Sequence, residues 1–178
     1  MDLTEIPINE EKVFTGRLLD VRKYTVKLPN GKESTREIVV HPGAVAMLPV
    51  EDDYVYLVEQ YRFPISQTLL EVPAGKFDEP GEEPLECGKR ELEEEIGKTA
   101  EKWIYLGYIH TTPGFSNEVI HLYLVKDLKN TQVNPDEDEF LEIKKIKIKE
   151  FEKMILENKI TDAKTIACYS RAKLLGEI

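Results

Sequence analysis

The segment Glu71 to Gly97, EVPAGKFDEPGEEPLECGKRELEEEIG, constrains the fold more than any other part of the chain. A backbone able to bend at Gly75 and Gly81 runs into a helical pattern that starts near Pro84 and stops at Gly97. Glu82 and Glu83 complement the positive end of that helix. Glu91, Glu94 and Glu95 stand at i, i+3 and i+4, so their carboxylates share one face within an arc of roughly 100°. Two unit charges ~5 Å apart at an effective dielectric near 20 repel by about 3 kcal/mol, and such a face gathers protons or cations. Oxygen ligands suit hard divalent ions. Leu85, Leu92 and Ile96 line the neighbouring flank, while Glu86, Lys89 and Glu93 point away. One flank therefore packs on a layer and the next faces a site.

The rest of the chain supplies that layer. Lys12 to His41 reads as two strands around Pro29-Asn30-Gly31-Lys32, since Asn-Gly is a strong hairpin signal. Such a ribbon buries little by itself, and a boundary is expected between residues 41 and 42: a ribbon over 1–41 and a main domain over 42–178. Gly43 to Val50 and Tyr54 to Gln60 read as paired strands, Thr68 to Val72 as a short one, and Trp103 to His110, Val119 to Val125 and Phe140 to Ile148 as further strands. Lys149 to Asn158 and Asp162 to Leu175 read as helices, the second with Ala163, Ile166, Ala167, Ala172 and Leu174 available for packing. Strands and helices mixed without repeats predict a layered α/β sandwich.

Charge narrows the partners. The 178 residues include 34 acidic and 24 basic side chains, a formal net charge of −10 that argues against nucleic acid. An anionic substrate then needs metal ions or local arginines. No apolar run approaches the ~20 residues that span a bilayer, and Met1 to Lys12 carries no signal-peptide pattern, so a cytoplasmic protein is expected. Cys87 and Cys168 form no CxxC pair and read as plain buried thiols. The three histidines are scattered, and no GxSxG or phosphate-loop motif occurs.

Taken alone, an acidic run of this kind is a solvated helix face. The longer pattern says more: Gly75 to Gly97 resembles the Nudix box, Gx5Ex7REUxEExGU with U apolar. Glu82, Arg90-Glu91-Leu92, Glu94-Glu95 and Gly97 fit it. Six residues rather than five separate Gly75 from Glu82, with Pro80 as the insertion, and Lys98 stands where an apolar residue is usual. Pro113, in Thr-Pro-Gly-Phe-Ser-Asn-Glu 16 residues beyond Gly97, resembles the loop that marks the ADP-ribose pyrophosphatases of that family. Arg36 to Val45, Glu59 to Arg62, Glu71 to Gly75 and Ile160 to Thr165 are similar to the same subfamily.

The resemblance implies an α/β/α sandwich with a mixed sheet, preceded by an antiparallel β ribbon that serves dimerisation. It implies Mg²⁺-dependent hydrolysis of ADP-ribose to AMP and ribose 5-phosphate by a homodimer, with Mn²⁺ as a substitute metal. Position by position it makes Glu91, Glu95, Glu94 and the Ala74 carbonyl metal ligands, with Glu82 in support. It draws the catalytic base from the acidic run Asp136 to Glu139, with Glu139 preferred and Glu137 second. Arg36, Arg62 and Pro113 are expected to bind substrate, and Phe14 or Tyr24 to stack on adenine. Two alternatives stand beside this: the same chemistry on another nucleoside diphosphate sugar, and an ADP-ribose sensor without turnover.

Overall fold

The computed structural model describes residues 2–78, 81–132 and 140–178. Its strands are β1 (Ile6–Thr15), β2 (Asp20–Lys27), β3 (Glu33–Val40), β4 (Ala44–Glu51), β5 (Tyr54–Arg62), β6 (Gln67–Glu71), β7 (Ala74–Lys76), β8 (Lys98–His110), β9 (Val119–Asn130) and β10 (Leu141–Lys147). The helices are α1 (Pro84–Ile96), α2 (Ile148–Leu156) and α3 (Ala163–Leu174). Contacts divide the chain into two units, Met1–Pro42 with His110–Val119, and Gly43–Ile109 with Ile120–Ile178.

The first unit is an antiparallel sheet in the order β1-β2-β3. Gly31, at φ +82°, makes the β2–β3 turn, where Leu28 N–H donates to the Lys32 carbonyl at 2.7 Å. The ribbon has three strands where the sequence reading expected two. β1 has no buried residue, and its middle, Asn9-Glu10-Glu11-Lys12, shows no apolar alternation. Pairing with β2, irregular at Pro7/Asn9 and Lys12/Phe14, holds it instead. Segment 110–119 joins this unit through Val39 N–H, which donates to the Phe115 carbonyl at 2.8 Å, and through a bridge between Val39 and Ser116.

The second unit is built on a mixed sheet ordered β10-β5-β4-β9-β8, with β6 added to β5 and β7 to β4. β4 runs parallel to β9, Ala44 opposite Ile120 through Pro49 opposite Val125, and antiparallel to β7. Successive β4 residues face opposite layers. Ala44, Ala46 and Leu48 join Leu122, Leu124, Phe151, Cys168 and Ala172 on the side of α2 and α3. Val45 and Met47 join Tyr123, Val125, Cys87, Leu92 and Ile96 on the side of α1. Burial on both faces makes β4 a nearly unbroken apolar run. The result is an α/β/α sandwich.

Helix ends follow their residues. Pro84 opens α1, and Gly97, at φ +59°, closes it with an N–H that donates to the Glu93 carbonyl at 2.9 Å. Lys98 fills an apolar position without an apolar side chain: it is buried, its Nζ donates to Asn130 Oδ1 at 2.8 Å, and it lies 4.5 Å from the Tyr56 ring centroid. In α3 the buried residues are Thr165, Cys168, Tyr169 and Ala172. Ile166, Ala167 and Ala172 pack as expected, whereas Ala163 and Leu174 are exposed; Asp162 caps the helix by accepting from Thr165 N–H at 2.9 Å. Among the described residues no helix is long and apolar enough to cross a membrane.

A buried ion network ties the end of β6 to the start of α3. Glu71, 1% exposed, accepts from Arg62 Nε at 2.7 Å and Nη2 at 2.8 Å, and from Lys164 Nζ. Lys164 also reaches Asp162 at 3.1 Å, and Thr165 Oγ1 accepts from Val72 N–H at 2.8 Å. Burial pushes the Glu71 carboxyl upward, but hydrogen bonds from Arg62 and the charge of Lys164 outweigh it and hold the group below the usual carboxylate range. A carboxyl so depressed stabilises the fold fully above its unfolded value of about 4.3, and the contribution is lost as pH falls through the lower folded value. Glu71→Gln is expected to cost roughly 3 kcal/mol at pH 7 in urea denaturation, with the gap to wild type closing below about pH 4. A gap that stays constant with pH would contradict this.

Candidate active site

The acidic face of α1 lies over the β7 backbone, and the approach is close. A Cβ at Gly75 would overlap the carboxylate of Glu91, so only glycine lets that side chain lie against the strand. Ala74 N–H donates to Glu95 Oε2 at 3.0 Å, and Glu95 is buried. The strand itself is fixed by pairing with β4, Val45 opposite Gly75, and by Met47 N–H, which donates to the Pro73 carbonyl at 2.9 Å. Backbone and helix together therefore define where two glutamates sit.

Arg90 gathers the rest. Its Nη1 donates to Glu91 Oε1 at 2.8 Å and Glu94 Oε2 at 3.0 Å, and its Nη2 lies 3.1 Å from Asp78 and 3.5 Å from Glu82. Nη2 also reaches the Lys76 carbonyl at 3.3 Å. Glu82 in turn accepts from Asp78 N–H at 2.8 Å. Burial works against the Arg90 charge, but Glu91 and its other acidic neighbours raise the pKa further above its usual value. Burial, with the charge of Glu82, pushes the nearby Cys87 thiol up to about 12, which makes it a packing residue rather than a nucleophile.

The structure thus brings Glu82, Glu91 and Glu94 to Arg90, and Glu95 to Ala74. Among the described residues no three acidic, histidine or cysteine side chains converge as a preformed metal cage. The donors nevertheless suit a hard divalent cation: they are all carboxylate oxygens beside a strand carbonyl, and the space a Cβ would fill at Gly75 is taken by one of them. Arg90 Nε is buried without a hydrogen-bond partner among the described residues, so Arg90 holds these carboxylates at some cost.

Arg62 belongs to this unit, where Glu71 takes its Nε and Nη2 edge. Arg36 and Pro113 belong to the other. Arg36 donates from Nε to Glu5 at 2.8 Å and from Nη1 to the Thr35 carbonyl at 2.8 Å. Pro113 is exposed in a loop anchored by Asn117 Oδ1, which accepts from His41 N–H at 2.8 Å, and His41 Nε2 lies 3.4 Å from Glu118. His121 Nδ1 pairs with Tyr105 Oη at 3.0 Å, and burial lowers its pKa. Glu137 and Glu139 lie outside the described residues. Sequence reasoning missed the contact of Glu91 with Gly75, the donation from Ala74 N–H, and the tie of Glu71 to Lys164. Gly75, the glycine that opens the acidic motif, was the signal for the first; the other two join residues far apart in the chain.

Comparison with known proteins gives the family. The NUDIX domain model matches residues 40–167. An ADP-ribose pyrophosphatase of Bacillus subtilis (strain 168) is 43% identical over 166 residues, which cover 92% of this chain and 89% of that protein. A methanol dehydrogenase activator of Bacillus methanolicus is 42% identical over 165 residues, 91% and 89% of the two chains. A crystal structure of an ADP compounds hydrolase superposes with a TM-score of 0.88 at 23% identity, covering 99% of this chain and 97% of that one, and so shares the fold. The chain belongs to the Nudix family.

Replacing Gly75 by alanine is expected to displace Glu91 and weaken divalent-cation binding by about 10- to 100-fold. Titration with Mn²⁺ followed by electron paramagnetic resonance checks this, and unchanged affinity in a folded variant would refute the cradle.

Proposed function

We propose that this protein is a Mg²⁺-dependent ADP-ribose diphosphatase that releases AMP and ribose 5-phosphate. The observation that carries the reading is the acidic α1 face seated on a Cβ-free strand, in a chain 43% identical to an ADP-ribose pyrophosphatase over most of its length. Glu91, Glu95 and Glu94 with the Ala74 carbonyl would hold Mg²⁺ or Mn²⁺, and Glu82 supports them from the loop. Bound there, divalent ions neutralise the diphosphate and lower the pKa of a water.

The chain's own residues do the remainder. Ala74 N–H and Gly75 hold Glu95 and Glu91 in place, and Arg90 orients Glu91, Glu94 and Glu82 by charge-assisted hydrogen bonds. Arg62 would meet phosphate with the Nη1 edge that Glu71 leaves, Arg36 would exchange Glu5 for a phosphate or ribose oxygen, and Pro113 is a further substrate-binding residue in this reading. Water adds to one phosphorus, the bridging P–O bond breaks, and the water's proton passes to Glu139, with Glu137 as the alternative base. A net charge of −10 makes these local cations essential for an anionic substrate. The reading includes a cytoplasmic homodimer joined through the ribbon of residues 1–41, whose Ile6, Ile8, Val13 and Phe14 are exposed.

Incubation with ADP-ribose, GDP-mannose and other nucleoside diphosphate sugars plus Mg²⁺ tests the assignment. ADP-ribose should give the highest kcat/KM, with AMP and ribose 5-phosphate as products. Faster release from another sugar nucleotide would change the substrate, and tight binding without products would make the protein a sensor. Glu95→Gln is expected to lower kcat by on the order of 10²–10³ with an unchanged circular dichroism spectrum. Near-normal turnover at saturating Mg²⁺ would end its role as a ligand. Of the two candidate bases, Glu139→Gln should abolish most of the pH-dependent kcat while Glu137→Gln leaves it largely intact; the reverse result would exchange their roles.

A further inference from the structure

Lys164, within the Ile160 to Thr165 segment, has so far only a part in the ion network of Glu71, yet it is one of the more deeply placed cations among the described residues. Its side chain is 12% exposed, and its Nζ contacts both Glu71 and Asp162. Glu71 holds the Nε and Nη2 edge of Arg62, which leaves the Nη1 side of that guanidinium without a hydrogen-bond partner among the described residues. The Arg62 side chain is 43% exposed, and its charge is also felt by Glu95. The four groups Arg62, Lys164, Glu71 and Asp162 carry two positive and two negative charges.

We propose that Lys164 is a positioning residue that tunes Arg62 for an anionic substrate. By offsetting Glu71 from the α3 side, Lys164 brings the group to a net charge of zero and keeps the Arg62 edge positive toward a diphosphate. By fixing the Glu71 carboxylate it also fixes the plane of the guanidinium. Without Lys164 the group carries a net charge of −1, and the side facing the substrate loses its attraction for phosphate. This rests on the reading of Arg62 as a phosphate-binding residue.

The test is a double-mutant cycle on the full chain, with ADP-ribose and Mg²⁺. Lys164→Met should raise KM roughly tenfold while kcat stays within about twofold. Lys164→Arg, which keeps the charge, should restore KM. The inhibition constant of AMP should rise with KM, whereas that of uncharged adenosine should not, a discrimination that a purely structural role would not produce. In an Arg62→Ala background, Lys164→Met should add no further increase. An additive effect on KM, a loss confined to kcat, or an equal loss for adenosine would overturn the proposal. If Arg62→Ala itself leaves KM unchanged, the phosphate-binding role of Arg62 fails instead. Should Lys164→Met not fold, Lys164→Gln carries the same expectation and the same refutation.

Discussion

The arrangement of the site depends on the seating of the Glu91 carboxylate on the backbone of Gly75. Much of the second unit can be understood as fixing those two partners. On one side, β7 is held by β4, the strand most completely buried on both faces. On the other, α1 is anchored by Cys87, Leu92 and Ile96 and stopped by Gly97. An acidic face would repel itself; here the backbone N–H of Ala74 and the guanidinium of Arg90 share the charge between them. Glu91, Glu94 and Glu95 are thus placed by rigid elements, with Glu82 added from the loop before α1.

A good part of this was readable in the residues, for physical reasons that differ by element. α1 has a proline at its start, a glycine at its end and a clear separation of apolar and acidic flanks, so both its limits and its orientation followed from pattern. β4 and β5 are dense in apolar residues and were equally plain. β1 was not, because it has no buried face and exists through pairing with β2. In α3, Ile166, Ala167 and Ala172 pack as their pattern predicted, Ala163 and Leu174 proved exposed, and Thr165 is buried with its hydroxyl satisfied by Asp162 and Val72. Lys98, an apparent defect in the family pattern, is accommodated by the ring of Tyr56 and the amide of Asn130.

The candidate site divides in the same way. Spacing put Glu91, Glu94 and Glu95 on one face before any coordinates were needed. No spacing rule could join Glu71 to Lys164, which are 93 residues apart, or reveal that a backbone N–H at Ala74 would meet Glu95. Charges that interact across elements depend on how layers stack, and that is a property of the packed core. Hence the acidic face of α1 could be anticipated from one segment, whereas the ion network around Arg62 could not.

The two cysteines have a practical consequence. Cys87 and Cys168 are both buried, and burial raises both thiols well above their usual range. Thiolate chemistry is therefore suppressed at both positions. The folded protein offers thiol-directed reagents no ready target, so a single cysteine introduced on its surface would be the position to take a maleimide fluorophore or spin label.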